Sequence, residues 1–194
     1  MATRTITHLY DSYDDAARVV ADLEAAGIPH SDISLVANKT RDGVTTDTAT
    51  GAGTGAGIGA VLGGGAGLLA GIGALAIPGI GPVVAAGWLV ATLAGVGVGG
   101  AAGGLLGSLT GAGVDEADAH VYAEGVRRGG SLVTARVDES KVATVESVMM
   151  KQSYVDMTQR AGEYRASGWN RFDESAPAYM ASDAEAERRR RTGT

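Results

Sequence analysis

The residues from Gly51 to Val114 include no Asp, Glu, Lys or Arg, yet they hold 23 of the chain's 31 glycines. Glycines recur there at every fourth position, at Gly51, Gly55, Gly59, Gly63, Gly67 and Gly71. A second four-spaced row of small residues follows at Gly87, Ala91, Gly95, Gly99, Gly103, Gly107 and Gly111. On a helix, small residues four apart share one face and lay a shallow groove along it, into which a neighbouring backbone packs closely. Pro78-Gly-Ile-Gly-Pro82 interrupts the block, and an internal proline both removes a helical hydrogen bond and clashes with the preceding turn. The spacing therefore predicts two long helices joined at the proline pair, a glycine-zipper hairpin inserted in the chain.

Glycine in a helix costs about 0.5–1 kcal/mol relative to alanine, so such a hairpin needs contacts beyond its own. Ile58, Val61, Leu62, Leu68, Leu69, Ile72 and Leu75 would fill the sides away from the groove and face lipid or further copies of the hairpin. As a helix, residues 58–77 would cover about 30 Å, the thickness of a bilayer core. Their large aliphatic side chains contribute only roughly −2 to −5 kcal/mol to insertion, which makes it marginal. Lys39 and Arg41 before the block and Arg127 and Arg128 after it agree with both ends on the cytoplasmic side, a signal weakened by Asp115, Glu116 and Asp118. Trp88 would suit an interfacial position. A solvated linker has no reason to keep the four-residue rhythm interleaved with large aliphatics, so self-association is the first expectation and the bilayer the second.

The flanks alternate between strand and helix patterns. Arg4–Tyr10 alternates polar and apolar residues, with Ile6, His8 and Tyr10 on one face, and predicts a strand. Asp11 or Ser12 caps a helix opened by Asp14 and Asp15, carrying the stripe Ala16, Val19, Val20, Leu23, Ala26 and closed by Gly27 before Pro29. Ile33–Ala37 is a second strand, and Lys39–Thr50 is a polar linker. Beyond the block, Asp115-Glu116 opens a helix with Ala119, Tyr122, Ala123 and Val126 on one side, ended at Gly129-Gly130. A strand at 131–137, a helix over 140–152 and a short strand at 154–158 complete the pattern.

That order predicts an α+β fold, a ferredoxin-like sandwich (βαβ…αβαβ) built from residues 1–50 and 115–160 and interrupted by the hairpin at 51–114. From Ala161 to Thr194 periodicity gives way to Gly, Ser, Ala and dense charge, which reads as a mobile tail. Tyr164, Trp169 and Phe172 are its exception, an aromatic set suited to docking on the domain or on a partner.

The chemistry a reader would look for is missing from the pattern. Gly55-Ala-Gly57-Ile-Gly-Ala60 and Gly71-Ile-Gly73-Ala-Leu-Ala76 match a relaxed dinucleotide fingerprint, but neither follows a strand signal, and no acidic residue lies between them and Asp115 to hold a ribose about 20 residues on. No lysine lies between Lys39 and Lys141, which excludes a phosphate-binding P-loop in the block. His8, His30 and His120 are scattered, and with no cysteine neither a disulfide nor a thiolate metal site is possible, so no cofactor or metal is expected. The pairs Asp14-Asp15 and Asp115-Glu116 are explained as helix-opening charges. A net charge of −6, with bases gathered only at Arg188–Arg191, argues against specific nucleic-acid binding. Met1–Tyr10 has no secretory pattern, so the globular part is expected in the cytoplasm.

Two stretches carry a family likeness. Tyr10-Asp-Ser-Tyr-Asp-Asp-Ala-Ala-Arg-Val-Val-Ala-Asp-Leu with Gly27-Ile-Pro-His-Ser-Asp-Ile-Ser-Leu-Val-Ala37 resembles bacterial general stress proteins of the 17M-like, heat-induced group, as do Glu124-Gly-Val-Arg-Arg-Gly-Gly-Ser-Leu-Val133 and Tyr164-Arg-Ala-Ser-Gly-Trp-Asn-Arg-Phe-Asp173. The resemblance implies a bacterial stress-associated protein with a ferredoxin-like domain and no catalytic residues to assign. Together these readings predict a non-enzymatic protein that partners itself through the glycine rows at the cytoplasmic side of the inner membrane. Two alternatives stand beside it: a soluble self-assembling particle or filament in the cytoplasm, and a small-ligand sensor domain.

Overall fold

A computed structural model describes residues 3–38, 73–77, 79–89, 92 and 104–176. Five strands, β1 (Thr3–Tyr10), β2 (Ile33–Asn38), β3 (Gly73–Ile77), β4 (Gly81–Gly87) and β5 (Ser131–Asp138), form one sheet in the order β1-β5-β2-β4-β3. Every neighbouring pair is antiparallel. The described helices are α1 (Tyr13–Ala25), α2 (Gly104–Gly111), α3 (Glu116–Arg127), α4 (Val142–Met149) and α5 (Met157–Ala166). The fold is thus mixed α+β.

The local signals explain most of these elements. Ser12 caps α1 by accepting from the Asp15 amide at 3.4 Å, and Asp14 and Asp15 meet the positive end of the helix dipole. Tyr13, Ala16, Val19, Val20 and Leu23 of α1 are buried. Asp115 caps α3 through the Ala117 amide, and Asp156 caps α5 through the Gln159 amide at 2.8 Å.

Alternation along the strands sends side chains into two cores, one on each face of the sheet. On one face Ile6, Ile33, Leu35, Val84, Val133 and Ala135 pack under α1 and α4, and the Tyr10 hydroxyl donates to the Met149 carbonyl at 2.8 Å. On the other, Leu9, Val36, Val83, Ala85 and Leu132 pack under α2 and α3, and the Tyr122 hydroxyl donates to the Thr7 carbonyl at 2.8 Å. A Cβ on Gly125 of α3 would overlap the end of the Leu9 side chain, which would have to shift, so glycine here lets the helix lie close against β1. All six residues of β2 are buried, as a central strand covered on both faces requires.

Over 73–87 the expected long helices give way to a β-hairpin. Gly79 and Ile80 form a turn between strands rather than a break between helices, and the Ile80 amide donates to the Ile77 carbonyl at 3.1 Å across it. The reason is physical: a short, continuous apolar run such as Val83–Ala86 suits a two-faced strand as well as a buried helix. Pairing with β2 satisfies a backbone edge that would otherwise be left open, while glycine gives a helix here little propensity to set against it. Side chains of the block enter the second core, where Ile77, Ile80, Leu89, Leu105 and Leu109 are all buried. Among the described residues no helix is long and apolar enough to cross a membrane.

Two further expectations change. The strand expected at 154–158 is one bridge, Tyr10 to Tyr154, with the Val155 amide donating to the Leu9 carbonyl at 2.8 Å, because Asp156 caps a helix at once. The tail expected from Ala161 begins instead inside α5 and continues packed against the domain to Phe172. Residues 177–194, with Arg188–Arg191, lie outside the described residues.

Candidate functional site

Of the predicted self-association rows, Gly51, Gly55, Gly59, Gly63, Gly67 and Gly71 lie outside the described residues, as do Ala91, Gly95, Gly99 and Gly103. Of the three that are described, Gly107 and Gly111 lie four residues apart on one helix, while Gly87 is in a strand. Gly87 ends β4 at φ +91°, where an added Cβ would strike the Ile33 carbonyl oxygen and come within 2.8 Å of the Ser34 Cα. Its role is close strand-to-strand approach. Gly107 and Gly111 sit in α2, and a Cβ on Gly111 would meet open space.

The aromatic set of the C-terminal segment lies against α3 and the second core. Tyr164 is 1% exposed, with the Arg128 guanidinium 4.3 Å above its ring and the Trp169 ring edge-on at 5.6 Å. Arg128 Nε donates at 2.6 Å and Arg127 at 3.0 Å to Oε1 of Glu124, whose side chain is almost wholly buried. A buried carboxylate is tolerated only with such charged partners, so Glu124, Arg127, Arg128 and Tyr164 form one unit joining α3 to α5. Arg160 adds a two-pronged contact to Asp11, at 2.7 and 3.1 Å, which ties α5 to the end of β1. Those contacts favour the charged Arg160 and outweigh the opposing effect of its burial. Farther along, Phe172 is buried in the second core.

Where the chain passes over α2 and α3 it leaves a cleft of about 770 Å³. One wall is Leu106, Gly107 and Thr110 of α2 with Val114; the second is Glu116 and His120 of α3; the third is Arg171–Ser175. Oδ1 of Asp173 accepts from the Ser175 amide at 2.8 Å and the Ser175 hydroxyl at 2.6 Å, which holds its carboxyl below the ordinary value. Nε2 of His120 stands 3.9 Å from Oε1 of Glu116, and its Nδ1 is buried without a hydrogen-bond partner. No group of three His, Asp or Glu side chains among the described residues could hold a metal ion. The cleft combines an apolar floor with an acidic rim, which suits binding.

In the sequence Glu116 reads as a helix-opening charge and His120 as one of three scattered histidines with no site of their own. Their i, i+4 spacing was the available signal, but the third wall comes from about fifty residues away and carries no local mark. No protein-family model, no curated protein and no solved structure matches this chain.

Proposed function

We propose that this chain is a non-catalytic, self-associating protein in which the α+β domain is the fixed base of the glycine-rich block. The observation that carries the proposal is the stitching of the block into the domain. β3 and β4 extend the sheet, and Ile77, Ile80, Leu89, Leu105 and Leu109 are part of its second core. Asn38 and Leu75 stand level with each other across Val83 of β4, two strand spacings or about 10 Å apart. Asn38 and Gly73, the described residues on either side of 39–72, therefore lie near one another in the sheet, flanking β4. In this reading the remaining glycines of both rows pack against those of other copies.

The finer assignments belong to the same proposal. β1, α1 and β2 with β5 between them and α4 after it form the ferredoxin-like part, and β3, β4, α2 and α3 are additions to it. The role is that of the bacterial stress-associated proteins the sequence resembles, exercised at the cytoplasmic face of the inner membrane. A second reading, a soluble assembly, is favoured by one observation: Ile77, Ile80, Val83, Leu89, Leu105 and Leu109 of the block are buried against protein.

Sedimentation of the full chain, with and without detergent, and membrane fractionation test both. A discrete oligomer is expected, reduced to monomer by Gly59→Leu with Gly99→Leu while the circular dichroism of the domain is unchanged. Membrane recovery selects the first reading and a detergent-free oligomer the second. A monomer at micromolar concentration under both conditions rejects the proposal.

A further inference from the structure

We propose that the cleft between α2, α3 and the C-terminal segment binds a small organic cation, an ammonium carried on an apolar body. This goes beyond self-association and does not depend on it. The volume of about 770 Å³ lies within the range of small-molecule sites. Leu106, Val114 and Phe172 supply apolar surface for the body of such a ligand. Among the described lining residues the carboxylates of Glu116, Asp173 and Glu174 outnumber the Arg171 guanidinium, and with Arg127 also acting on Asp173 the rim still carries an excess of negative charge that favours a cation.

The geometry also gives the charged head a place. Nε2 of His120 and Oε1 of Glu116 are 3.9 Å apart, too far to bond each other. An ammonium nitrogen lodged between them would reach both at about 2.9 Å, donating to the carboxylate and, in the ring tautomer that carries its proton on Nδ1, to Nε2. Asp173 keeps Oδ2 clear of its Ser175 bonds, which both fall on Oδ1, and so presents a second acceptor beside the exposed Glu116. An anion would meet three carboxylates, and a neutral ligand of the same shape would leave the rim unanswered.

Calorimetric titration of the full chain with phenethylammonium, 2-phenylethanol and phenylacetate tests this. Phenethylammonium should bind at least tenfold more tightly than the alcohol, and phenylacetate should bind more weakly than both. Glu116→Gln combined with Asp173→Asn should weaken the ammonium at least tenfold, with the thermal midpoint held close to that of the parent. The more distant Asp32→Asn should leave binding unchanged. Equal binding of the three probes, an unaffected Glu116→Gln/Asp173→Asn variant, or no binding at millimolar probe would each overturn the proposal. Should the double variant prove unstable, the ranking of the three probes on the parent protein decides alone.

Discussion

His8 shows how one residue couples the sheet to pH. It lies on the α4 side of β1, with its ring edge-on to Tyr154 at 5.0 Å and the Glu146 carboxylate acting on it. Burial lowers its pKa from the ordinary 6.5, only partly opposed by Glu146. Above pH about 6.5 the imidazole is neutral in the folded and unfolded chains alike, and the full stability is present. As pH falls below that value the unfolded chain takes the proton first, so stability is lost down through the folded-state pKa. Urea midpoints at pH 7.5 and 5.5 should therefore differ more for the parent than for His8→Gln. An equal difference in both would show that other groups carry the acid response.

At the scale of elements, the β3–β4 hairpin depends on its two ends. Asn38 holds one, its side-chain amide donating to the Ile80 carbonyl at 3.3 Å and to the Arg127 carbonyl at 3.1 Å, so the turn is tied to the end of α3. Gly87 holds the other, at a positive φ and with β2 too close for any side chain. Gly87→Ala should cost at least about 2 kcal/mol, from the strained φ and the displaced backbone. Gly111→Ala, placed in open space on α2, should be neutral or stabilising by up to about 1 kcal/mol. Urea denaturation of the two variants makes the comparison, and a similar loss in both would mean the four-residue row acts as a helix face after all.

Over the described residues the molecule is a sheet covered on both faces, with the segment from α5 to Phe172 closing the second layer. Phe172 is the last large side chain of that closure, 4% exposed beneath the cleft. Phe172→Ala should cost about 3–5 kcal/mol, the usual penalty for truncating a buried aromatic. The same change removes part of the cleft floor, so phenethylammonium affinity should fall as well. A loss within about 1 kcal/mol by urea denaturation would show instead that the segment beyond α5 rests on the domain without stabilising it.

The sequence by itself determined α1, α3, α4 and the strands β1, β2 and β5, because each carries its own period and, for the first two helices, a capping residue. It also marked Tyr164 and Phe172 as aromatics that need covering. Only the tertiary structure decided the strand state of 73–87, since an apolar run satisfies helix and strand alike until β2 offers an unpaired edge. The helix α5 was hidden too: most of its residues are polar, and it is held by Arg160 on Asp11 and Tyr164 against Arg128, contacts made across the fold. The cleft was beyond reach for the same reason, because its walls come from three separated stretches and no periodicity connects residues brought together only by folding.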